Sequence, residues 1–378
     1  WPFTTEQRPL MSGPGPATDA HRAAWRDAFA KPITGGPITR GFDSYFGTDV
    51  PNWPPYCFIE NDRTVGIPTE FLPARLVNRN HWASQHGPAL PEWQLEAILP
   101  ALGDRAEQFI ARGGPQPWLL YLALTTPHTP LAVNAAWQGR SGLSNACADL
   151  IMETDALVGR VLQALDTSGA ATNTLVLFTS DNGFADYVGA RQLEAQGHFP
   201  SGPLRGYKAS VYEGGHRVPF LVRWPGVVAP GRVCGQLVHH ADLLATLADI
   251  LGTALPANAG QDSFSLLPLL KGEDRPVREH AVSCAMSGVP GIRLGSWKLI
   301  LGPDSGPRTV PRLYNLARDL GETNDLSAQE PERVRQMTAL YEKLIVDGRS
   351  TPGPRQPNDV RVVRHPKAAA QRNPAKDP

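Results

Sequence analysis

The sequence predicts an α/β sandwich, and three short apolar segments support that prediction. Residues 118–124 read WLLYLAL, residues 174–179 read TLVLFT, and residues 218–224 read VPFLVRW. Each is a run of the length and composition expected of a buried strand. Helical patterns alternate with these runs, and the first two runs lead directly into polar residues. In α/β folds the reactive groups lie beyond the carboxyl ends of the strands.

Three amphipathic segments predict the helices of this α/β part. Residues 92–112 have a helical pattern that ends at Gly113-Gly114-Pro115. Residues 147–166 place leucine, isoleucine and valine on one broad face. Residues 242–251 predict a short helix capped by Gly252.

The pattern changes after about residue 256. Residues 291–301 (GIRLGSWKLIL) and 312–316 (RLYNL) indicate short strands, and residues 331–347 indicate a helix. We expect a small antiparallel sheet with a packed helix there. The predicted divisions are therefore residues 1–255 for the α/β part, 256–348 for a C-terminal α+β subdomain, and 349–378 for a disordered tail poor in large apolar residues.

Composition excludes several classes of function. The 378 residues contain 36 Lys+Arg and 36 Asp+Glu, so the net charge is zero and no general attraction to nucleic acid or anionic membrane is expected. No apolar run has the length of a membrane span. The four cysteines form no Cys-x-x-Cys pair, which argues against zinc, while one or two disulfides stay open. They are Cys57, Cys147, Cys234 and Cys284.

Asp181 and Asn182 are candidate metal ligands. They directly follow the apolar run 174–179 and precede Gly183. A carboxylate beside an amide carbonyl offers hard oxygen ligands, which suit Ca²⁺ or Mg²⁺ better than zinc. The alternative interpretation is an ordinary turn, because Asp-Asn-Gly is also a favoured turn sequence.

His128 and Lys208 are candidate catalytic residues. His128 lies between two prolines just after the run 118–124, and the prolines would restrict the backbone that carries the imidazole. Lys208 follows Gly206 in a turn, where an ammonium can meet an anionic tetrahedral group. A solvated loop histidine and a solvated lysine are the alternatives. Arg205 and, with a lower rank, His198 are candidates for the lining of a substrate pocket.

The order of these motifs along the chain is specific. Pro-His-x-Pro (127–130), Ser-Asp-Asn-Gly (180–183), Gly-x-Lys (206–208) and Glu-Gly-Gly-x-Arg-Val-Pro (213–219) follow one another. In this order they resemble the type I sulfatase family of the alkaline-phosphatase-like superfamily, over about residues 38–345. Further support comes from residues 40–43 (RGFD), 239–247 (HHADLLATL) and 313–316 (LYNL).

The resemblance implies a fold, a chemistry and a role for each matched residue. The fold would be a central mixed sheet flanked by helices, with a smaller C-terminal antiparallel sheet. Asp181 and Asn182 match two calcium ligands of the family, with Mg²⁺ the second choice of metal. His128 matches the histidine that contacts the sulfate and assists the leaving group. Lys208 matches the lysine that binds the sulfate and its bridging oxygen.

The nucleophile implied by the resemblance has no clear match in this chain. Family members use a formylglycine, made from the Cys or Ser of Cys/Ser-x-Pro-x-Arg by a formylglycine-generating enzyme. No cysteine here begins that motif, and no Asp-Asp pair or Lys-Trp-His segment occurs. Ser201 fits the spelling in SGPLR but lies immediately before Lys208, so we reject it. We therefore expect an N-terminally truncated chain that lacks the first strands and is inactive alone.

The expected activity of the parent enzyme is hydrolysis of sulfuric esters, either aryl sulfates or sulfated carbohydrates. Two alternatives stay open, a phosphate ester or phosphonate hydrolase of the same superfamily and a non-catalytic, truncated sulfatase-like protein. The family also implies export to the periplasm or the extracellular space. Neither a nucleic acid nor a membrane span is expected.

Overall fold

The computed structural model describes residues 15–77, 85–302 and 311–362. Contacts within the chain divide it into two compact units, Trp1–Ala171 and Thr172–Pro378. The division at 255 and 256 inferred from composition stays a prediction. Within the described residues, no helix is both long enough and apolar enough to cross a bilayer.

The first unit is built around two packed helices, α3 and α4. Asn145 caps α4, because its side-chain oxygen accepts the backbone N–H of Ala148 at 3.0 Å. Gly103 lets the two helices approach closely, since a Cβ there would lie 2.8 Å from a methyl carbon of Leu157. The helices of this unit are α1 (Asp19–Phe29), α2 (Ala74–Val77), α3 (Ile98–Arg112) and α4 (Ala146–Thr167). The helices predicted at 92–112 and 147–166 are thereby confirmed, the first beginning later than expected.

Short strands complete the first unit. Antiparallel pairing joins three of them in the order β1–β2–β3 and two others as β4–β5. An apolar cluster that includes Tyr56, Leu72 and Leu102 fills the space between these strands and α3. The strands are β1 (Phe46–Gly47), β2 (Ile59–Glu60), β3 (Arg63–Thr64), β4 (Glu70–Phe71) and β5 (Pro88–Ala89).

The predicted strand at residues 118–124 is wrong for this structure. No strand is assigned there, and Leu119 and Tyr121 are 63% and 75% exposed. A strand is defined by the hydrogen bonds of a neighbouring strand. Within the described ranges, no strand pairs with this segment. The apolar run alone could not reveal that no described strand would pair with it.

The second unit begins with a two-stranded antiparallel sheet. β6 (Val176–Thr179) pairs with β7 (Phe220–Arg223), so that Val176 faces Arg223 and Thr179 faces Phe220. These strands confirm the predictions at 174–179 and 218–224 with shorter bounds, but the strands are not buried as predicted, since Phe178 and Leu221 are 40% and 57% exposed. Four helices follow the strands or connect them. They are α5 (Ala190–Ala195), α6 (Glu213–His216), α7 (Asp242–Ile250) and α8 (Leu267–Leu270).

A four-stranded antiparallel sheet and a helix form the C-terminal part of the second unit, as the sequence predicts. The strand order is β11–β10–β9–β8, and α9 packs on the sheet around Ile292, Leu299 and Met337. The predicted strand 291–301 is in fact two strands, because Gly295 turns the chain at a φ of 56°. The elements are β8 (His280–Cys284), β9 (Pro290–Leu294), β10 (Trp297–Ile300), β11 (Arg312–Asn315) and α9 (Pro331–Asp347).

The structure bears on the cysteines and on the C-terminal residues from 349 onward. All four cysteines are free, so no disulfide forms, and burial raises the pKa of the Cys57 and Cys147 thiols to about 12. Part of the predicted tail makes backbone hydrogen bonds, since the N–H groups of Ser350 and Thr351 donate to the carbonyl of Gln261. The rest of that tail, residues 363–378, lies outside the described residues.

Candidate functional site

Asp181 and Asn182 lie in the turn that directly follows β6. Asp181 is exposed, and its Oδ1 is 3.5 Å from the hydroxyl of Ser180. The Oδ1 atom of Asn182 is buried and accepts no hydrogen bond. A buried carbonyl oxygen without a partner is costly, because it has lost water and gained nothing in return. The turn therefore presents a carboxylate and an unsatisfied amide oxygen next to each other.

Glycines let three turns of the second unit touch through their backbones. A Cβ on Gly183 would lie 1.9 Å from the carbonyl oxygen of Gly214, and one on Gly214 would lie 2.2 Å from that of Gly206. A Cβ on Gly215 would lie 2.1 Å from the carbonyl oxygen of Ser210. No side chain fits at such separations, so glycine is required at these positions. The glycine cluster, as we call Gly183, Gly206, Gly214 and Gly215, joins the motif at 180–183 to those at 206–208 and 213–215.

Lys208 is attached to the turn that carries the metal-ligand candidates. Its backbone N–H donates to the carbonyl of Phe184 at 2.7 Å, and the N–H of Gly183 donates to the carbonyl of Gly215 at 3.0 Å. The next residue, Ala209, has a φ of 76°, a conformation that is costly for a residue with a Cβ. The Lys208 turn is thus held in a strained shape by bonds to the 181–184 turn.

The other candidates of the second unit have different surroundings. Arg205 donates to the carbonyl of Glu322 at 2.7 Å, and its guanidinium lies 3.8 Å from the centre of the Tyr212 ring. These contacts hold the guanidinium of Arg205 in place, and its role in lining a substrate pocket stays a prediction. Ser201 donates its hydroxyl to the carbonyl of Gly206 at 3.1 Å, a structural bond in the same turn. His198 is exposed.

His128 belongs to the first unit and is fixed by its own loop. Its Nδ1 lies 2.7 Å from the carbonyl oxygen of Thr129. A carbonyl oxygen only accepts, so Nδ1 carries a proton and Nε2 is left for another partner. The hydroxyl of Thr126, in the same loop, lies 2.7 Å from that of Thr154 on α4. The imidazole therefore has a defined tautomer and a loop anchored to a helix.

The residues of the 181–182 turn fit a hard cation. The unsatisfied oxygen of Asn182 would gain a partner, and the exposed Asp181 carboxylate would supply the charge. Among the described residues no three His, Cys, Asp or Glu side chains come together as a metal site. Asp181 and Asn182 would each supply an oxygen ligand to such a cation.

A buried cluster of charges beneath the glycine cluster was not identified from the sequence. The ammonium of Lys298 on β10 lies 2.9 Å from Glu213 Oε1 and 3.0 Å from Glu322 Oε1. Burial opposes ionisation of Glu213, but the nearby Lys298 lowers the pKa of that carboxyl. Burial raises the pKa of Glu322. The available signal was a lysine inside the apolar run WKLIL, where a charge needs a buried partner.

Comparisons with known proteins identify the family of this chain. The Sulfatase family model matches residues 23–253, which is more than half of the chain, and the model of the C-terminal part of N-sulphoglucosamine sulphohydrolase matches residues 207–346. An N-acetylgalactosamine-6-O-sulfatase from Bacteroides thetaiotaomicron is 34% identical over 266 residues, covering 67% of this chain and 52% of that protein. Human arylsulfatase A is 32% identical over 302 residues, covering 71% of this chain and 57% of that protein.

A solved structure is similar in fold as well. It is a Bacteroides thetaiotaomicron protein described in connection with the metabolism of multiple glycosaminoglycans, with a TM-score of 0.73 and 29% identity, covering 84% of this chain and 75% of that chain. The chain spans about half the length of the curated relatives it matches. The family match, the relatives and the shared fold together show that this chain belongs to the sulfatase family and has its alkaline-phosphatase-like α/β fold.

Proposed function

We propose that the protein hydrolyses sulfuric esters, with Lys208 as the group that binds the sulfate. The observation that supports this most directly is the fixed Lys208 turn, bonded through Phe184 to the turn of Asp181 and Asn182. The rigid turn fixes the backbone that carries the ammonium, so only the Lys208 side chain has to be ordered when sulfate binds, and less entropy is lost. As the S–O bond breaks, negative charge grows on the bridging oxygen, and a preorganised cation stabilises that charge.

His128 is proposed as the general acid for the leaving group. Its Nδ1–H is committed to the carbonyl of Thr129, so Nε2 is the nitrogen that holds and donates the proton. Donation of that proton to the departing oxygen avoids release of an alkoxide. The bond to Thr129 also fixes the ring plane, as an orienting partner does for catalytic histidines in general.

Asp181 and Asn182 are proposed to hold a divalent cation, which the sulfatase family generally implies and which we assign as Ca²⁺. Both offer oxygen donors, and Ca²⁺ prefers oxygen ligands in a flexible geometry, whereas Mg²⁺ demands near-ideal octahedral coordination. When bound, the cation would neutralise part of the charge of a sulfate group. The nucleophile is assigned from the family alone, as a formylglycine made by a formylglycine-generating enzyme.

A sulfated carbohydrate is the proposed class of substrate, ahead of an aryl sulfate. The relatives that support this carry the names N-acetylgalactosamine-6-O-sulfatase and N-acetylgalactosamine-6-sulfatase, the latter from mouse, dog and human. An aryl sulfate is also a useful probe, because arylsulfatase A is 32% identical to this chain.

The test is hydrolysis by the full-length protein, produced together with a formylglycine-generating enzyme and supplied with Ca²⁺. We would compare N-acetylgalactosamine 6-sulfate, 4-nitrophenyl sulfate and 4-nitrophenyl phosphate as substrates. Release of sulfate from the first two, and little release of phosphate from the third, is the expected result. Preferred hydrolysis of the phosphate would contradict the proposal and favour a phosphate ester hydrolase.

Replacement of Lys208 tests its role in the same assay. Lys208→Met keeps the length of the side chain and removes its charge, so kcat/KM for the sulfate esters should fall roughly 100- to 1,000-fold. Lys271→Met is the matched control, because Lys271 is exposed after α8. Equal activity of the two variants would show that Lys208 does not bind the reacting group.

A further inference from the structure

The buried cluster of Lys298, Glu213 and Glu322 calls for an explanation beyond folding. The residues are 2%, 2% and 0% exposed, and the ammonium of Lys298 lies about equally far from one carboxylate oxygen of each glutamate. To bury three ionisable groups is expensive, and well-packed apolar residues often stabilise a protein at least as well. Because these side chains are sealed from solvent, they cannot touch a substrate directly.

The cluster is connected to both ends of the Lys208 turn. Glu213 lies C-terminal to Lys208, and its backbone N–H donates to Glu322 Oε2 at 2.7 Å. Arg205 lies N-terminal to Lys208, and its guanidinium donates to the backbone carbonyl of Glu322 at 2.7 Å. Glu322 itself has a φ of 52°, so its backbone is held in a left-handed conformation. One residue thus holds the two segments that flank the lysine.

The two flanking segments are also joined to each other. The N–H of Gly214 donates to the carbonyl of Arg205 at 2.8 Å, directly beside the ion pair of Glu213 with Lys298. The glycine cluster leaves no free space between these backbones. A shift of Glu213 would therefore be transmitted to the backbone on both sides of Lys208 rather than absorbed by a gap.

We propose that Glu213, Lys298 and Glu322 are positioning residues for Lys208, and that strand β10 of the C-terminal sheet supplies the buried ammonium that holds the sulfate-binding turn in place. This inference rests on the proposed role of Lys208. It explains why the ammonium comes from a strand 85 residues beyond Glu213 in the sequence, from a part of the unit that otherwise has no function assigned to it.

The test compares the neutral variant Glu322→Gln with Asp242→Asn in the full-length protein. Asp242 pairs with Arg278 at 3.0 Å and is as deeply buried as Glu322, so it controls for the general cost of disturbing a buried ion pair. Hydrogen exchange of peptides that cover residues 204–216 reports the Lys208 turn without any need for catalysis. Inhibition by inorganic sulfate and kcat on 4-nitrophenyl sulfate are measured on the same samples.

Faster exchange in residues 204–216 is expected for Glu322→Gln but not for Asp242→Asn. With it we expect a kcat lower by about 100-fold and weaker inhibition by sulfate, because misplacement of a catalytic group by about 1 Å has effects of that size. Equal exchange of this segment in the two variants would overturn the inference, whatever their activities. A loosened segment in a protein that never hydrolyses sulfate esters would uphold the positioning and refute the proposed function.

A second variant covers the case in which Glu322→Gln fails to fold. Glu213→Gln with Lys298→Met removes two opposite charges together, and without Lys298 less opposes the burial that raises the pKa of Glu322. Arg217 and Arg293, which also pair with Glu213, keep access to solvent, so no fully buried charge is left without compensation. Exchange of residues 204–216 that matches the wild type would again overturn the inference, and faster exchange confined to that segment would support it.

Discussion

At the scale of single residues, two neighbouring oxygen groups have different environments: the amide oxygen of Asn182 is buried, and the carboxylate of Asp181 is exposed to solvent. The amide oxygen lacks a hydrogen-bond partner, and the carboxylate is left in solvent beside it. A cation would satisfy the first and neutralise the second. The sequence Asp-Asn is also common in ordinary turns, and the buried oxygen of Asn182 favours the metal site, which stays a prediction.

Asn182→Leu tests the metal assignment without an activity assay. The leucine keeps the approximate shape and removes the unsatisfied oxygen, so in chelator the unfolding free energy should stay equal or rise by about 1 kcal/mol. Ca²⁺ at about 100 times its dissociation constant should stabilise the wild type by about 2.7 kcal/mol and the variant much less. Thermal unfolding with and without Ca²⁺ measures both effects. Asn258→Leu, at an exposed loop position, is the control, and an undiminished Ca²⁺ effect in Asn182→Leu would refute the assignment.

At the scale of elements, the contacts of the glycine cluster explain why three separate motifs each contain a glycine. Gly183 and Gly214 lie where backbones meet, and the separations exclude any Cβ there, whereas a Cβ on Gly206 would lie 2.8 Å from the hydroxyl oxygen of Ser210. The glycine at 206 additionally has a φ of 80°, which favours glycine. Glycine is required at these positions because different turns contact one another. The sequence of a single turn therefore does not explain its glycine.

Gly183→Ala is expected to displace the Lys208 turn. Its Cβ would overlap the carbonyl oxygen of Gly214, and we expect a loss of about 3 kcal/mol in unfolding free energy together with loss of sulfate ester hydrolysis. Gly235→Ala is the matched control, because no atom lies within 4 Å of the added carbon, and its effect should stay within about 0.5 kcal/mol. Chemical denaturation measures both. A Gly183→Ala protein of wild-type stability would show that the contact is not rigid.

His216 on α6 predicts a dependence of stability on pH. Burial and the neighbouring Lys298 lower the pKa of its imidazole to about 4, while Glu213 opposes that shift. The unfolded imidazole titrates near 6.5, so between about pH 6.5 and 4 the unfolded state binds the extra proton. The contribution of His216 is therefore present above about pH 6.5 and is lost as the pH falls toward 4.

The variant His216→Gln should weaken the fall in stability across that pH window. Unfolding midpoints at several pH values from 4 to 7 would show it as a shallower slope. His198→Gln, at an exposed position, serves as the control and should keep the wild-type slope. An unchanged slope in His216→Gln would mean that other groups carry the acid sensitivity.

At the scale of the whole molecule, the β6–β7 sheet leaves an apolar patch in solvent. Phe178 and Leu221 are directly paired across the two strands and are 40% and 57% exposed. Paired apolar side chains on a two-stranded sheet favour association with other apolar surfaces.

We therefore expect the 378-residue chain to self-associate through this patch. Leu221→Lys should reduce the association, because it places a charge at the centre of the patch. Light scattering over a range of concentrations measures the effect. Val233→Lys is the control, since Val233 is 92% exposed and lies outside the two strands. Equal scattering of the two variants would place the association elsewhere.

Local sequence patterns predicted the four helices α3, α4, α7 and α9 and the C-terminal sheet, but not the other α-helices of the described residues. α9 begins and ends at the predicted residues, and α4 and α7 do so within one residue at each end. Their periodicity and end signals are local, so neighbouring residues determine them. The segment 118–124 failed for the opposite reason, because a strand needs a partner that its own residues do not encode.

In the candidate site, too, local sequence predicted some features, while contacts between distant residues could not be predicted. Asp181, Asn182, Lys208 and His128 were found by their motifs, and their roles stay predictions. The hydrogen bond that fixes the tautomer of His128 is also local, since its partner is the next residue. The hydrogen bond of Arg205 to Glu322 could not be inferred, because it joins residues 117 positions apart.

The sequence by itself determined the family of this protein, the α/β class and the order of its motifs, since these depend on letters and spacing. Only the tertiary structure decided which backbones approach closely enough to require glycine, and which acids surround Lys298. Glu213 and Glu322 are 109 residues apart and meet because the C-terminal sheet packs beneath the Lys208 turn. The contact between Glu213 and Glu322 is buried, and a charged group removed from water needs a partner within the protein.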